Sequence, residues 1–430
     1  MNRVNRVSRH VMERAGTLLG ILGLLVAGFL TSLDVWTVVI APLFLRIQFL
    51  QGVLSVGAFS VVIAAIGLLL ARDVRRDDAT DERVRSGPLV QAIVPAYRDA
   101  DVVDASVTSL LENDYDPLRI VIAVEPDDEP TRERAAELAD IYEPVEYLVN
   151  DAPGSKATAI NNAVEWSPAD HFVVFDADER ASPTFVSTAM GELLGETDVF
   201  QGRRVPRPSG PVETLAYCER VVVQAGYLIG DVVGFTHCQS SATGFTREAL
   251  EAVGGYADVL TEDLYFSHQC YQANLTVAQN RRCTSSMEAP HTLGDLWGQR
   301  KRWRIGHVQV SHLRIREALA GRPSLTDLVT VGRAIGAVLA GGALLVLTAH
   351  VLLLMVVDPS SVVIPFAAVF TMIGGVWLRD LRDGRVGGPS WTLALAPLVF
   401  LGHGVLTVKA VLEYVLTWDG EWYQVTKTGA

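Results

Sequence analysis

The sequence predicts an α/β domain, with a mostly parallel central sheet and helices on both faces, inserted between transmembrane α-helices. Three observations lead there. Apolar residues make up 49% of the 430 residues and concentrate at the two ends. The middle alternates short apolar runs with helical patterns, as strands alternate with helices in a βαβ chain. The formal net charge of −13 sits mainly in that middle block and gives it an acidic surface. Nucleic-acid binding needs a basic footprint, so that class of partner is excluded. The cysteines Cys218, Cys238, Cys270 and Cys283 include no C-x-x-C pair, which leaves no zinc or redox motif and reads as reduced thiols.

Residues 1–16 carry Arg3, Arg6, Arg9 and Arg14 and read as a cytoplasmic N-terminus. Residues 17–40 and 51–71 are each long enough to cross about 30 Å of hydrocarbon, so 17–71 reads as two transmembrane helices. No small-x-small cleavage site follows the first, which makes it a retained signal anchor. Arg72, Arg75 and Arg76 follow the pair. Basic residues on both sides place residues 75–325 in the cytoplasm by the positive-inside rule, in a multi-pass protein of the cell membrane. Within that block strands are expected at 89–96, 119–124, 142–148 and 171–175, and helices at 100–113, 130–138 and 155–165. Ligands of such sheets lie beyond the carboxyl ends of the strands, so the polar residues just after each strand carry the information. Apolar segments return at 331–357, 361–378 and 390–416, and read as two to three transmembrane or re-entrant helices. Arg379, Arg382 and Arg385 mark the loop before the last one as cytoplasmic. Residues 417–430 form a tail.

Asp176-Ala177-Asp178 follows the fourth strand. Two carboxylates so spaced can share Mg²⁺ or Mn²⁺, which prefers oxygen ligands and often binds through few carboxylates plus substrate phosphates. Alone, the pair equally describes a solvated acidic turn. Its context is richer. Val94-Pro95-Ala96-Tyr97-Arg98-Asp99 closes the first strand and Val124-Glu125-Pro126-Asp127-Asp128 the second. Pro153-Gly154-Ser155-Lys156 opens a helix, and Thr261-Glu262-Asp263 and Gln299-Arg300-Lys301-Arg302-Trp303 come later. Thr261-Glu262-Asp263 also suits a helix N-terminus, with Thr261 as the cap. The basic run also suits an interfacial helix near 295–320, with Arg300, Lys301, Arg302 and Arg304 turned to lipid headgroups.

In this order, from about residue 88 to 307, the motifs resemble the family 2 inverting glycosyltransferases, especially the membrane synthases related to bacterial cellulose and hyaluronan synthases. The resemblance implies a GT-A type nucleotide-sugar-binding domain and an inverting, metal-dependent transfer from a nucleotide diphosphate sugar, expected to be a UDP-sugar. It also implies roles. Tyr97 and Glu125 match positions that hold the base, and Asp128 is the alternative to Glu125, because Glu125-Pro126 replaces the usual paired aspartates. Lys156 matches a lysine near the diphosphate. Asp176 and Asp178 match the nucleotide- and metal-binding aspartates. Asp263 matches the general base, with Glu262 beside it on the acceptor side. Arg302 can grip a phosphate, and Gln299 and Trp303 belong to the acceptor side, where the indole offers a face to a sugar. Trp422-Tyr423-Gln424-Val425-Thr426-Lys427 resembles the gating loop of cellulose synthases, which closes over the nucleotide.

The implied partners are a nucleotide-sugar donor, a glycan or lipid-linked acceptor and membrane lipids, with export partners left open. Two products fit: a growing polysaccharide, or one sugar added to a polyprenyl-phosphate-linked lipid. A non-catalytic nucleotide-sugar-binding regulator is the reading from another class. Three crossings after the domain would place 417–430 outside, whereas a gating segment must be inside. The segment 390–416, which contains Gly402, His403, Gly404 and Lys409, is the candidate for a re-entrant or interfacial helix.

Overall fold

The computed structural model describes residues 37–40, 43–46, 50–75, 83–151, 154–232, 234–357, 359–417, 423 and 425–427, with scattered positions before residue 24. The expected span at 17–40 lies mostly outside the described residues. Its last four residues form strand β1 (Thr37–Ile40), paired with β2 (Leu43–Arg46), and helix α1 (Leu50–Arg75) follows.

The globular block is built on strand β3 (Ser86–Ala96), whose apolar half is buried on both faces. It lies between two parallel neighbours, β4 (Asp116–Val124) and β6 (His171–Val174), and such strands read as continuous apolar runs. Side chains alternate across it. Val90, Ala92 and Val94 pack on α2 (Val103–Leu111) and α3 (Glu129–Ile141), and Ile93 packs on α4 (Lys156–Trp166). The outer strand β5 (Val145–Val149) is parallel to β4.

Beyond β6 the sheet changes character. Its order is β5-β4-β3-β6-β9-β8-β10-β7. Here β7 is Arg180–Ala181, β8 is Val199–Pro206, β9 is Thr243–Thr246 and β10 is Val277–Met287. β9 runs antiparallel to both β6 and β8, whereas β8 and β10 are parallel. The sheet is therefore mixed and mostly parallel, with helices on both faces. Helix α5 is Phe185–Leu193, α6 is Pro211–Val232, α7 is Arg247–Val253, α8 is Glu262–Gln272 and α9 is Leu293–Ala320.

Three further helices, α10 (Leu325–Val357), α11 (Val363–Arg382) and α12 (Leu398–Leu416), are long and apolar enough to cross a membrane among the described residues. They dock on the globular block through buried ionic contacts as well as apolar ones. Tyr217 of α6 stacks edge-on against Trp377 of α11, with ring centroids 4.5 Å apart. Asp380 of α11 is fully buried and accepts from the Tyr217 hydroxyl (2.5 Å) and from the Arg203 guanidinium of β8 (2.8 Å). Two ionisable groups of α12 reach other elements: His403 meets Glu219 of α6, and Glu413 meets Lys301 of α9 (2.8 Å).

Candidate active site

A cavity of about 1070 Å³ opens at the carboxyl ends of β3, β4 and β6, where a sheet of this kind places its ligands. Of the residues singled out above, Tyr97, Glu125, Lys156, Asp176, Asp178, Glu262, Asp263, Gln299, Arg302 and Trp303 all line it. Asp128 does not. Its carboxylate caps α3, accepting from the Thr131 amide, and also accepts from the Arg98 amide, where the backbone takes a left-handed φ of 55°. A side chain spent on a helix cap and a strained turn points away from the ligand space, and Asp127 lines the cavity instead.

Glu125 is engaged on both oxygens. It accepts from the Asn150 side-chain amide (2.8 Å) and from the Gly154 backbone (3.0 Å), and so ties the end of β4 to the loop that opens α4. Ser155 caps α4, and Lys156 extends from its first turn to the Asp176 carboxylate. Arg204 of β8 holds the other Asp176 oxygen and, through Nε, the Glu179 carboxylate (3.0 Å). Burial would raise the Asp176 carboxyl, but Lys156 and Arg204 together hold it well below the usual carboxylate range. Glu179 is completely buried and also accepts from the hydroxyls of Ser241 and Ser285.

Asp178 accepts from the Glu288 amide (3.1 Å) and meets the Lys427 ammonium at 2.9 Å. The same ammonium lies 2.8 Å from Asp99. Tail residues Tyr423, Val425 and Thr426 also line the cavity, and the Tyr423 hydroxyl donates to Asp295 (3.1 Å). Asp176 and Asp178 offer only oxygen donors, and a cation already stands between Asp178 and Asp99. That donor set suits a hard divalent ion. Among the described residues no three His, Cys, Asp or Glu side chains form a ligand cluster, so substrate oxygens would have to complete the shell.

Asp263 lies in the first turn of α8, where its Oδ1 accepts from the Leu264 amide (2.7 Å). Glu262 is buried and accepts from the Ser240 hydroxyl (2.7 Å). Burial, and then the charge of Asp263, raise the Glu262 carboxyl. Thr261 occupies the N-cap position but makes no capping bond. Its side chain is packed instead against Gly306 of α9, where any Cβ would overlap it.

Helix α9 corrects a second expectation. Its basic residues are turned to protein rather than to headgroups. Arg300 pairs with Glu219 (2.6 Å), Lys301 with Glu413, Arg302 donates to the Leu260 carbonyl (3.1 Å), and Arg304 donates to His403 (3.2 Å). The Trp303 ring is flanked by two guanidinia, Arg300 at 4.2 Å and Arg220 at 5.1 Å from its centroid. Reading strand ends reached Asp99 without giving it a role and missed Arg204 and Glu179. Two adjacent arginines inside a buried strand, and a third acid directly after Asp176-Ala177-Asp178, were the available signals.

Residues 91–254 match the family described as Glycosyl transferase family 2. The cellulose synthase 1 catalytic subunit [UDP-forming] of Komagataeibacter xylinus is 26% identical over 244 residues, which is 52% of this chain and 31% of that protein. The poly-beta-1,6-N-acetyl-D-glucosamine synthase of Staphylococcus epidermidis is 22% identical over 51% of this chain and 55% of that protein. The chain thus spans about a third of the first of these relatives and about half of the second. Among solved structures, the mannosyltransferase PcManGT from Pyrobaculum calidifontis, in complex with GDP-Man and Mn2+, aligns with a TM-score of 0.53 at 17% identity, over 86% of this chain and all of that one. That likeness shows the fold, GT-A. Residues 91–254 thus match the Glycosyl transferase family 2 model on a GT-A fold, and over about half of its length the chain is similar to a cellulose synthase and a poly-beta-1,6-N-acetyl-D-glucosamine synthase.

Proposed function

We propose that the protein transfers a sugar, with inversion, from a nucleoside diphosphate donor to a glycan or lipid-linked glycan acceptor at the cytoplasmic face of a membrane. One observation carries the reading: Asp263 borders the same cavity as Lys156, Asp176 and Arg302. Both ends of a single displacement therefore share one chamber. The Komagataeibacter subunit is UDP-forming, which supports a uridine donor.

In this reaction the acceptor hydroxyl oxygen bonds to the anomeric carbon as the bond from that carbon to the diphosphate breaks. The proton passes to Asp263 and the negative charge to the diphosphate. One carboxylate within reach suffices, and no covalent sugar–enzyme step is needed. The Leu264 amide orients Asp263 through Oδ1 and leaves Oδ2 for the proton. Lys156 and Arg302 face the departing diphosphate as fixed cations. Asp176 and Asp178 would hold Mg²⁺ or Mn²⁺ with the donor's phosphate oxygens, and such an ion neutralises charge on a leaving diphosphate.

Residues 75–325 are the cytoplasmic domain in this reading, 17–71 and 331–382 form membrane hairpins, and α12 lies along the domain. His403 and Glu413 of α12 meet α6 and α9, and the tail after it returns to the cavity as a gating segment.

The test is release of nucleoside diphosphate from a panel of nucleotide sugars by protein in membranes. Turnover is expected with a uridine donor and Mg²⁺ or Mn²⁺. Asp263→Asn should lower it by about 100-fold or more with nucleotide binding retained, and Asp178→Ala should abolish metal-dependent turnover. Full activity in a chelator would overturn the metal assignment, and a wild-type rate in Asp263→Asn would overturn the base. Product length separates polymerisation from a single addition.

A further inference from the structure

The cavity does not stop at Asp263 and Trp303. It continues past His237 and Phe235 to the first turns of α10, where Arg333, Ala334 and Ala337 line it. Two guanidinia line this part of the cavity, Arg333 at the α10 end and Arg220 beside the Trp303 ring. Arg220 of α6 is only 7% exposed, and Arg333 lies 3.8 Å from the Phe235 ring centroid. Among the described residues no carboxylate is within ion-pair distance of either. The carboxylates that act on them from farther away, Glu219 on Arg220 and Asp231 on Arg333, are already paired, Glu219 with Arg300 and His403 and Asp231 with Arg281.

The surroundings do not neutralise them. Burial lowers the Arg220 guanidinium to about 10, with Arg204 adding to the effect, so it remains charged at neutral pH. His237 is lowered to about 4, mainly by burial, with Asp263 opposing and Arg220 and Arg333 reinforcing the shift. That imidazole thus lies within electrostatic reach of the base on one side and of both guanidinia on the other. The backbone also makes room for the arrangement. A Cβ at Gly230 of α6 would stand 3.0 Å from an Arg333 nitrogen.

A desolvated cation without a counter-charge is costly to keep, and a planar guanidinium matches phosphate oxygens in pairs. A neutral glycan calls for hydroxyl partners and flat apolar faces. It gives no reason for two guanidinia that have no direct ion-pair partner among the described residues. The helix that carries Arg333 continues as an apolar rod long enough to cross a bilayer. A hydrocarbon chain attached to an anion at Arg333 therefore has an apolar surface to follow.

We propose that Arg220 and Arg333 form an anion subsite for the phosphate of a lipid-borne acceptor, which presents the acceptor's sugar to Asp263. The donor's diphosphate belongs at the other end of the cavity, by Lys156 and Asp176. The acceptor role rests on the transferase reading above. Binding of the anion does not require turnover and is tested separately.

Full-length protein in neutral detergent is titrated with geranylgeranyl monophosphate, with geranylgeraniol, with inorganic phosphate and with UDP, and binding is followed by tryptophan fluorescence and calorimetry. The alkyl phosphate should bind about 10- to 100-fold tighter than the alcohol. The double variant Arg220→Gln, Arg333→Gln should lose that preference while its UDP affinity stays within about twofold of wild type. Equal binding of phosphate and alcohol to the wild type overturns the proposal without recourse to any variant. So does parallel loss of UDP affinity in the double variant, which would give the guanidinia to the donor. Inorganic phosphate binding as tightly as the alkyl phosphate overturns the lipid source. Absence of UDP binding to the wild type, with alkyl phosphate binding intact, counts against the transferase reading and leaves the anion subsite standing.

Discussion

Lys427 meets two carboxylates, Asp99 and Asp178, that would otherwise stand close together with like charge. Burial already raises the Asp99 carboxyl, Lys427 opposes that, and Asp178 adds to it. Replacing Lys427 with Met is therefore expected to lower the thermal midpoint at neutral pH, and added Mn²⁺ should restore it if a divalent ion uses the same carboxylates. Thermal unfolding with and without Mn²⁺ checks this. Three buried imidazoles give a pH prediction. His237 and His307 are lowered to about 4 and His268 to about 3, in each case mainly by burial, from an ordinary 6.5. Their folded pKa values lie below the unfolded one, so the unfolded chain binds more protons within that interval. Stability should be full above pH 6.5 and fall as the pH drops towards 4. Residues at strand ends, such as Lys156 and Asp176, could be read from the sequence because each motif is contiguous. Glu179 directly follows one of them, but its role could not be read, because its hydroxyl partners come from 62 and 106 residues away.

Elements meet in this site through missing side chains as much as through present ones. Gly306 lets α9 approach the loop that carries Thr261, and Gly298 of the same helix lies under the Tyr423 ring, where a Cβ would overlap. Gly306→Val should force Thr261 and the start of α8 apart. The expected result is a fall in turnover of about tenfold or more with UDP affinity retained, since a small misplacement of a base is costly. Gly298→Leu should displace Tyr423, and limited proteolysis of the tail measures that release. The buried strands and most helices of the first half were legible as apolar runs and helical patterns. The basic face of α9 was misread because charge periodicity cannot distinguish a lipid headgroup from Glu219 or Glu413. The antiparallel return through β9 was not read, because its four residues carry too little pattern.

Over the whole molecule, the globular block and the apolar helices are joined by buried charges. Asp380 has no exposed surface, and its partners Arg203 and Tyr217 come from β8 and α6. Removing one member of such a pair leaves an uncompensated charge, so Asp380→Leu should cost about 3–5 kcal/mol. The thermal midpoint in detergent measures this, and a joint Asp380→Leu, Arg203→Met exchange should recover much of the loss. The apolar ends of the chain were legible from composition, but their attachment was not, because an aspartate at the end of a hydrophobic run reads equally well as a membrane boundary.

Arg203 and Arg204 are neighbours on one strand, and their guanidinia leave by opposite faces, one to Asp380 of α11 and the other to Asp176 and Glu179. A single-residue insertion or deletion in β8 ahead of this pair would exchange the two faces and strand both arginines at once. Inherited change in this strand is thus confined to exchange of side chains at constant length. Relatives that keep both ion pairs should align through residues 199–206 without a gap, however far the rest of their sequences has diverged.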